Sequence, residues 1–244
     1  MGASGVVVPG IDADTALMMH MDGANDGVIF ADSSVTSNKG NATVVGTNCV
    51  TKTAFKKWGT ASAYNAGVNG HGLTYADHAD FEFMGDDTQD YNIGIQLKLL
   101  AHTGTEIFLE RYDAVGGISY FQLAHIHGTG VRLYVKKDSV LVFTISGGEI
   151  EDTDWHHILL AKVCSAGPTV EWGLYVDGTQ VAYASDATEN TFSGVLGIMA
   201  NIVGNSAVNG YGDELRIQKS NLFGAAPNVG LTDTIDVPTK AYSA

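Results

Sequence analysis

Glu149 and Glu151, two apart in the run GEIEDTD, are the nearest this chain comes to a hydrolytic pair. A retaining glycosidase needs two carboxylates roughly 5–5.5 Å apart on one face, one as nucleophile and one as acid. The run leads straight into Trp155, and its polarity suits a solvated loop better than a strand face. A serine hydrolase is not indicated either. There is no G-x-S-x-G elbow, and Ser146-Gly147-Gly148 closes a strand with no helix after it. Gly128-Thr129-Gly130 and Gly210-Tyr211-Gly212 read as turns, because a phosphate cradle needs a following helix. His125 and His127 share a strand face and could hold a transition metal with a third ligand. Phe121 and Leu123 precede them on that face, so the expected reading is an apolar stripe running to the strand end. His156 and His157 point to opposite faces. Asp22, Asn25, Asp26 and Asp32 cluster in one loop, which is the oxygen-rich chemistry of calcium, though Asp22-Gly23 also shapes a turn. A sugar site needs an aromatic platform with polar fingers. The candidates for it are Tyr112, Asp113, Tyr120, His71 and the segment from Asn205 to Asn209.

All of these must be positioned by strands. Leu174 and Val176 alternate with Tyr175, Asp177-Gly178 supplies the two positive-φ positions of a type I′ turn, and Thr179 to Tyr183 return. The same grammar recurs in Ala16–Asp22, Ser62–Ala66, Leu73–Tyr75, Tyr91–Leu100, Glu106–Tyr112, Ile118–His127, Val131–Val135, Val140–Ile145 (around Lys137-Asp138), Trp155–Cys164, Leu196–Val203 and Gly210–Gln218. Ala42–Val45 and Asn48–Thr51 are shorter candidates. About a dozen strands separated by turn residues predict an all-β antiparallel jelly-roll sandwich of two stacked sheets. No change of composition divides the chain. Residues 1–14 read as an arm, 15–220 as one jelly roll and 221–244 as an extended tail that crosses back over it.

With 27 acidic against 13 basic residues the formal charge is −14, which repels nucleic acid and anionic membranes. No stretch is apolar enough to insert in a bilayer, and the opening residues MGASGVVVPG lack the basic start of an export signal. Cys49 and Cys164 show no metal-binding spacing. They are either two reduced core thiols or one pair.

Four segments carry a likeness: SAYNAGVNGHGLTY (62–75), WHHI (155–158), LYVDGTQV (174–181) and GYGDELRI (210–217). In this order they resemble the concanavalin A-like lectin/glucanase superfamily, in its laminin G-like branch. The resemblance implies framework positions for Trp155 and Trp172 and a packing role for Trp58. It also places Glu149 and Glu151 in a surface loop without the E-x-D-x-x-E spacing of the enzymes in that superfamily. It brings the first and closing strands side by side, so that Asp22 and Asp213 could share a structural calcium. The opening LMMHMDGANDGVIFADSS and the closing VPTKAYS are similar to laminin G-like proteins of bacteriophages. That narrower likeness implies a non-enzymatic virion protein, a capsid decoration or fibre/tail accessory. Such a protein is made in the host cytoplasm, is homo-oligomeric, docks on other virion proteins and contacts a cell-surface or environmental glycan. The alternatives are a free-standing extracellular carbohydrate-binding module and a glycoside hydrolase.

Overall fold

A computed structural model describes residues 10–36, 38–85, 87–113, 118–164, 169–186, 191–199 and 206–243. Fifteen strands alternate along the chain. They are β1 (Thr15–Met19), β2 (Thr43–Val45), β3 (Cys49–Lys52), β4 (Ser62–Ala66), β5 (Gly72–Tyr75), β6 (Tyr91–Leu99), β7 (Thr105–Asp113), β8 (Ser119–Ile126), β9 (Gly130–Lys137), β10 (Val140–Gly147), β11 (His156–Cys164), β12 (Val170–Val176), β13 (Thr179–Asp186), β14 (Val195–Ile198) and β15 (Asn209–Gln218). A single 3-10 turn, Ala79–Phe81, is the only helical element among the described residues.

The strands form two antiparallel sheets. One has eight strands in the order β13-β12-β11-β6-β15-β4-β3, with β1 also on β15, and the other has seven in the order β10-β9-β8-β7-β14-β5-β2. The all-β sandwich expected from the alternation is what the chain builds. β4 and β1 follow one another along the same edge of β15, which places the first and closing strands side by side. The core between the sheets takes every second side chain, among them Ile93, Ile95, Leu97, Phe121, Leu123, Leu133, Trp172 and Leu215. Both hairpins with two-residue loops put their centres at positive φ, Asp177 (49°) with Gly178 (84°) and Asp138 (47°) with Ser139 (67°). The second turn lies one residue later than Lys137-Asp138, because Lys137 pairs with Val140 across it.

The outward faces of the two sheets are treated differently. Residues 221–243 lie across β11, β12 and β13. Ala225 and Ile235 close a second small core with Leu159, Ala161 and Tyr175. Thr234 bridges Thr179, the Ile235 amide donates to the Gly178 carbonyl, and the Tyr175 hydroxyl donates to Asp233 Oδ2 at 2.6 Å. Residues 10–14 are also tied down, with the Ile11 amide donating to Ser243 and Arg216 Nη2 to the Gly10 carbonyl. Residues 1–9, the rest of the expected arm, lie outside the described residues.

Candidate functional site

No such strap lies over the described face of the seven-stranded sheet. Register fixes what stands on it. Thr43, Thr74, Gly197, Glu110, Gln122, Tyr134 and Thr144 are successive partners, one from each strand, in one row across all seven. The next row joins Val195, Tyr112, Tyr120, Lys136 and Leu141, and a third joins Ala124, Arg132 and Ser146. The inward positions between them are apolar (Phe121, Leu123, Leu133, Val135), so strand alternation alone forces these polar and aromatic side chains outward.

Tyr120 and Tyr134 stack, with ring centroids 5.4 Å apart and planes 25° from parallel. The Arg132 guanidinium lies over the Tyr134 ring, 5.0 Å from its centroid, and Lys136 Nζ over that of Tyr120 at 5.8 Å. The four side chains thus form a cluster of two stacked rings, each with a cation over it. Burial, together with the neighbouring Tyr134, pushes the Tyr120 phenol above its ordinary pKa, so the hydroxyl keeps its proton and can donate. Gln122 Nε2 donates to Glu110 Oε1 at 3.0 Å, and Glu110 is covered. Tyr112 stands beside Tyr120, half-buried, with no ring of the described residues packed on it. The arrangement offers hydroxyl, amide and cationic donors around one free aromatic ring.

The sequence candidates divide. Tyr112 and Tyr120 come together as direct register partners. Asp113 does not join them. It is buried, and its Oδ2 accepts from the Ser193 hydroxyl at 2.9 Å and from the Ser193 amide, which clasps the loop ahead of β14. His71 sits at the opposite end of the sandwich, where its Nδ1 accepts from the Thr47 and Asn48 amides. Asn205 lies outside the described residues. Near that end is a polar cleft of about 350 Å³, with Asn69, Thr103, Thr105, Glu106 and Asn209 in its walls.

At the sandwich edge the two calcium candidates converge on one loop. Asp22 Oδ1 accepts from the Thr60 hydroxyl and the Thr60 and Ala61 amides, and Asp213 Oδ2 accepts from the Lys57 and Trp58 amides. Asp213 Oδ1 is buried with no partner among the described residues. Burial lifts the Asp213 pKa to about 7, with Glu214 and Asp22 adding to the rise and the two amides opposing it. The pair offers a cation one orphaned oxygen. Backbone carbonyls and solvent would have to supply the remainder of a calcium shell. No three acidic, histidine or cysteine side chains among the described residues are grouped to hold a metal.

Several features escaped the sequence. Glu149 is not wholly a solvated loop residue. Its Oε1 lies 3.2 Å from Nε2 of the buried His125, whose Nδ1 faces Glu106 Oε2 at 3.8 Å, whereas Glu151 is exposed. His125 does continue the inward stripe, while His127 is exposed past the strand end. Trp172 is core, but Trp155 is not. Trp155 packs outside the eight-stranded sheet on Tyr211, which also contacts Phe55 and Tyr64. Strand alternation gave a face for each ring; nothing local said which face lay inside. Cys49 and Cys164 do not form a disulfide, and burial pushes the Cys49 thiol up to about 12.

No family model and no curated protein matches the chain. Solved structures do. Domain 4 of AbnA, a GH43 extracellular arabinanase from Geobacillus stearothermophilus in complex with arabinotriose, is similar with a TM-score of 0.59 at 15% identity, over 85% of this chain and 93% of that one. The botulinum neurotoxin serotype G binding domain gives 0.58 at 11% identity, over 84% of this chain and 48% of that one. Trypanosoma rangeli sialidase in complex with a difluorosialic acid gives 0.55 at 13%, over 86% and 31%. The chain therefore spans about half of the toxin binding domain and a third of the sialidase. At these identities the likeness is one of fold.

Proposed function

We propose that this chain is a carbohydrate-binding domain whose recognition surface is the outward face of β7, β8 and β9. One observation carries the reading. Tyr112, Tyr120, Tyr134, Gln122, Arg132 and Lys136 stand in adjacent register on that face, while a segment of the chain itself roofs part of the other sheet. The similar folds add support, since the arabinanase domain is in complex with arabinotriose and a related toxin binding domain with a sialyl-T glycan. The test is a glycan array followed by titration calorimetry. Tyr112→Ala and Tyr134→Ala should each weaken binding at least tenfold, roughly 1.4 kcal/mol, with the far-UV spectrum unchanged. Unaltered affinity in both variants would discard this surface.

The domain binds rather than hydrolyses in this reading, because Glu149 turns to His125 while Glu151 stays in solvent. Sugar release from an array-positive oligosaccharide would overturn that. The wider part of the reading, display as an oligomeric decoration or tail accessory on a bacteriophage particle, rests on the resemblance of the opening and closing segments. Labelling of intact particles by an antibody to the chain tests it. A structural calcium between Asp22 and Asp213 belongs to the same reading, supported by the orphaned Asp213 Oδ1. Millimolar calcium should then raise the Tm of chelator-treated protein, and Asp213→Asn should abolish the rise. An unchanged melt removes the ion.

A further inference from the structure

We infer that the ligand of the β7–β8–β9 face is an anionic oligosaccharide, its carboxylate or sulfate groups held by Arg132 and Lys136. This deepens the carbohydrate-binding reading and rests on it. The chain has three arginines. Arg111 donates to Asp77 Oδ1 and Glu82 Oε1, both at 2.6 Å. Arg216 donates to Gln218, Thr15 and the Gly10 carbonyl and lies 3.9 Å from Asp12. Arg132 has no such partner among the described residues. Its Nε is buried with no acceptor, and its one neighbour of note is the Tyr134 ring.

A half-buried guanidinium without an acceptor is costly, and an acidic protein has many carboxylates that could have been placed beside it. Glu110 on the same face is covered and accepts from Gln122. Lys136 likewise has a ring and no carboxylate as its partner among the described residues. In a chain of formal charge −14, two cations left open over a tyrosine pair are set for charge that arrives from outside. Guanidinium is the group for that work, since its planar fork fits a carboxylate or sulfate with two parallel bonds. The cluster also leaves less for a neutral sugar to stack on there, because each ring already has the other ring and a cation over it.

Spacing narrows the ligand further. Arg132 and Lys136 are four residues apart on β9, about 13 Å along the strand. A single acid group does not bridge that distance, so the two cations read charges on different sugar units, with the Tyr120–Tyr134 ring pair beside them.

Calorimetry on the whole chain at 0.15 M NaCl tests this with three probes of equal length: a neutral gluco-oligosaccharide, an oligogalacturonide and a sulfated galactan oligosaccharide. One or both anionic probes should bind at least tenfold more tightly than the neutral one, and which of them binds separates carboxylate from sulfate recognition. Arg132→Gln should remove at least tenfold of that preference and Arg132→Lys part of it, with near-UV spectra confirming the fold. Lys136→Gln should cost severalfold. Equal binding of neutral and anionic probes, lost in Tyr134→Ala, would overturn the inference and leave the carbohydrate reading standing. Preference for anions that survives Arg132→Gln together with Lys136→Gln would also overturn it, because the charge would be read elsewhere. No binding of any probe would sink both.

Discussion

His157 shows how one side chain sets a pH limb for the whole fold. It is buried beneath the C-terminal strap, 5.7 Å from the Phe223 ring, and neither ring nitrogen has a partner among the described residues. Burial pulls its pKa from the ordinary 6.5 to about 4, with Lys57 adding to the fall and Asp177 opposing it. A base whose folded pKa is depressed stays neutral in the native state while the unfolded chain takes up a proton. Its contribution is therefore complete above about pH 6.5 and is lost as the pH falls toward 4. The size is on the order of 3 kcal/mol. His20 acts with the opposite sign. Its hydrogen bond to Glu214, 2.7 Å long, raises its pKa despite burial, so its contribution is present in acid and fades as the pH rises through that raised value. The clean comparison is thus between wild type and His157→Leu. The urea midpoint of wild type should fall relative to that of His157→Leu between pH 7 and pH 5, and parallel curves would refute the assignment.

At the scale of elements, the strap turns a sheet face into interior. Tyr175 packs with Leu159, Ala161, Ala225 and Ile235, and its hydroxyl meets Asp233, which also accepts from the Ala226 amide. Tyr175→Phe leaves that carboxylate short of a donor and should cost about 1.5–3 kcal/mol, the range for a hydrogen bond to a charged group. Limited proteolysis within 221–243 should quicken with it; an unaltered cleavage rate and urea midpoint would show that the strap is held by apolar contact alone. Much of this scale is legible in the sequence. The Asp177-Gly178 hairpin declares itself because two adjacent residues must take positive φ, and Tyr91 to Leu99 declares itself by period two. What strand alternation leaves out is which face has a cover. Tyr175 and Trp172 are both buried on β12, one under the strap and the other between the sheets, while Trp155 just ahead of β11 is in neither place. The site divides in the same way. Tyr112 and Tyr120 were readable as outward residues near a turn, whereas Tyr134 and Arg132 join them only through the β8–β9 register. Asp113 looked equally outward as a residue just past the strand, but β7 runs on through it, so alternation turns Asp113 inward where Tyr112 faces out.

For the molecule as a whole, charge acts on two length scales that oppose each other. The body carries a formal charge of −14, which repels an anionic oligosaccharide, while Arg132 and Lys136 attract it at contact. Screening separates the two, because the Debye length falls from about 30 Å at 0.01 M salt to about 8 Å at 0.15 M and about 3 Å at 1 M. At the lowest salt the ligand feels the entire acidic surface. Near 0.15 M the distant carboxylates are screened and the two cations are not. At 1 M the cations are weakened as well. Affinity for the charged probe should therefore pass through a maximum at intermediate salt. The Tm of the free protein should rise between 0.01 M and 0.15 M as self-repulsion is screened. Arg132→Gln should flatten the falling limb and leave the rising one, since the rising limb belongs to the body and the falling limb to the site. Calorimetry across a sodium chloride series reads both limbs. A decline that begins at the lowest salt would mean that the acidic surface does not reach the bound ligand. A flat profile would mean that charge takes no part in its recognition.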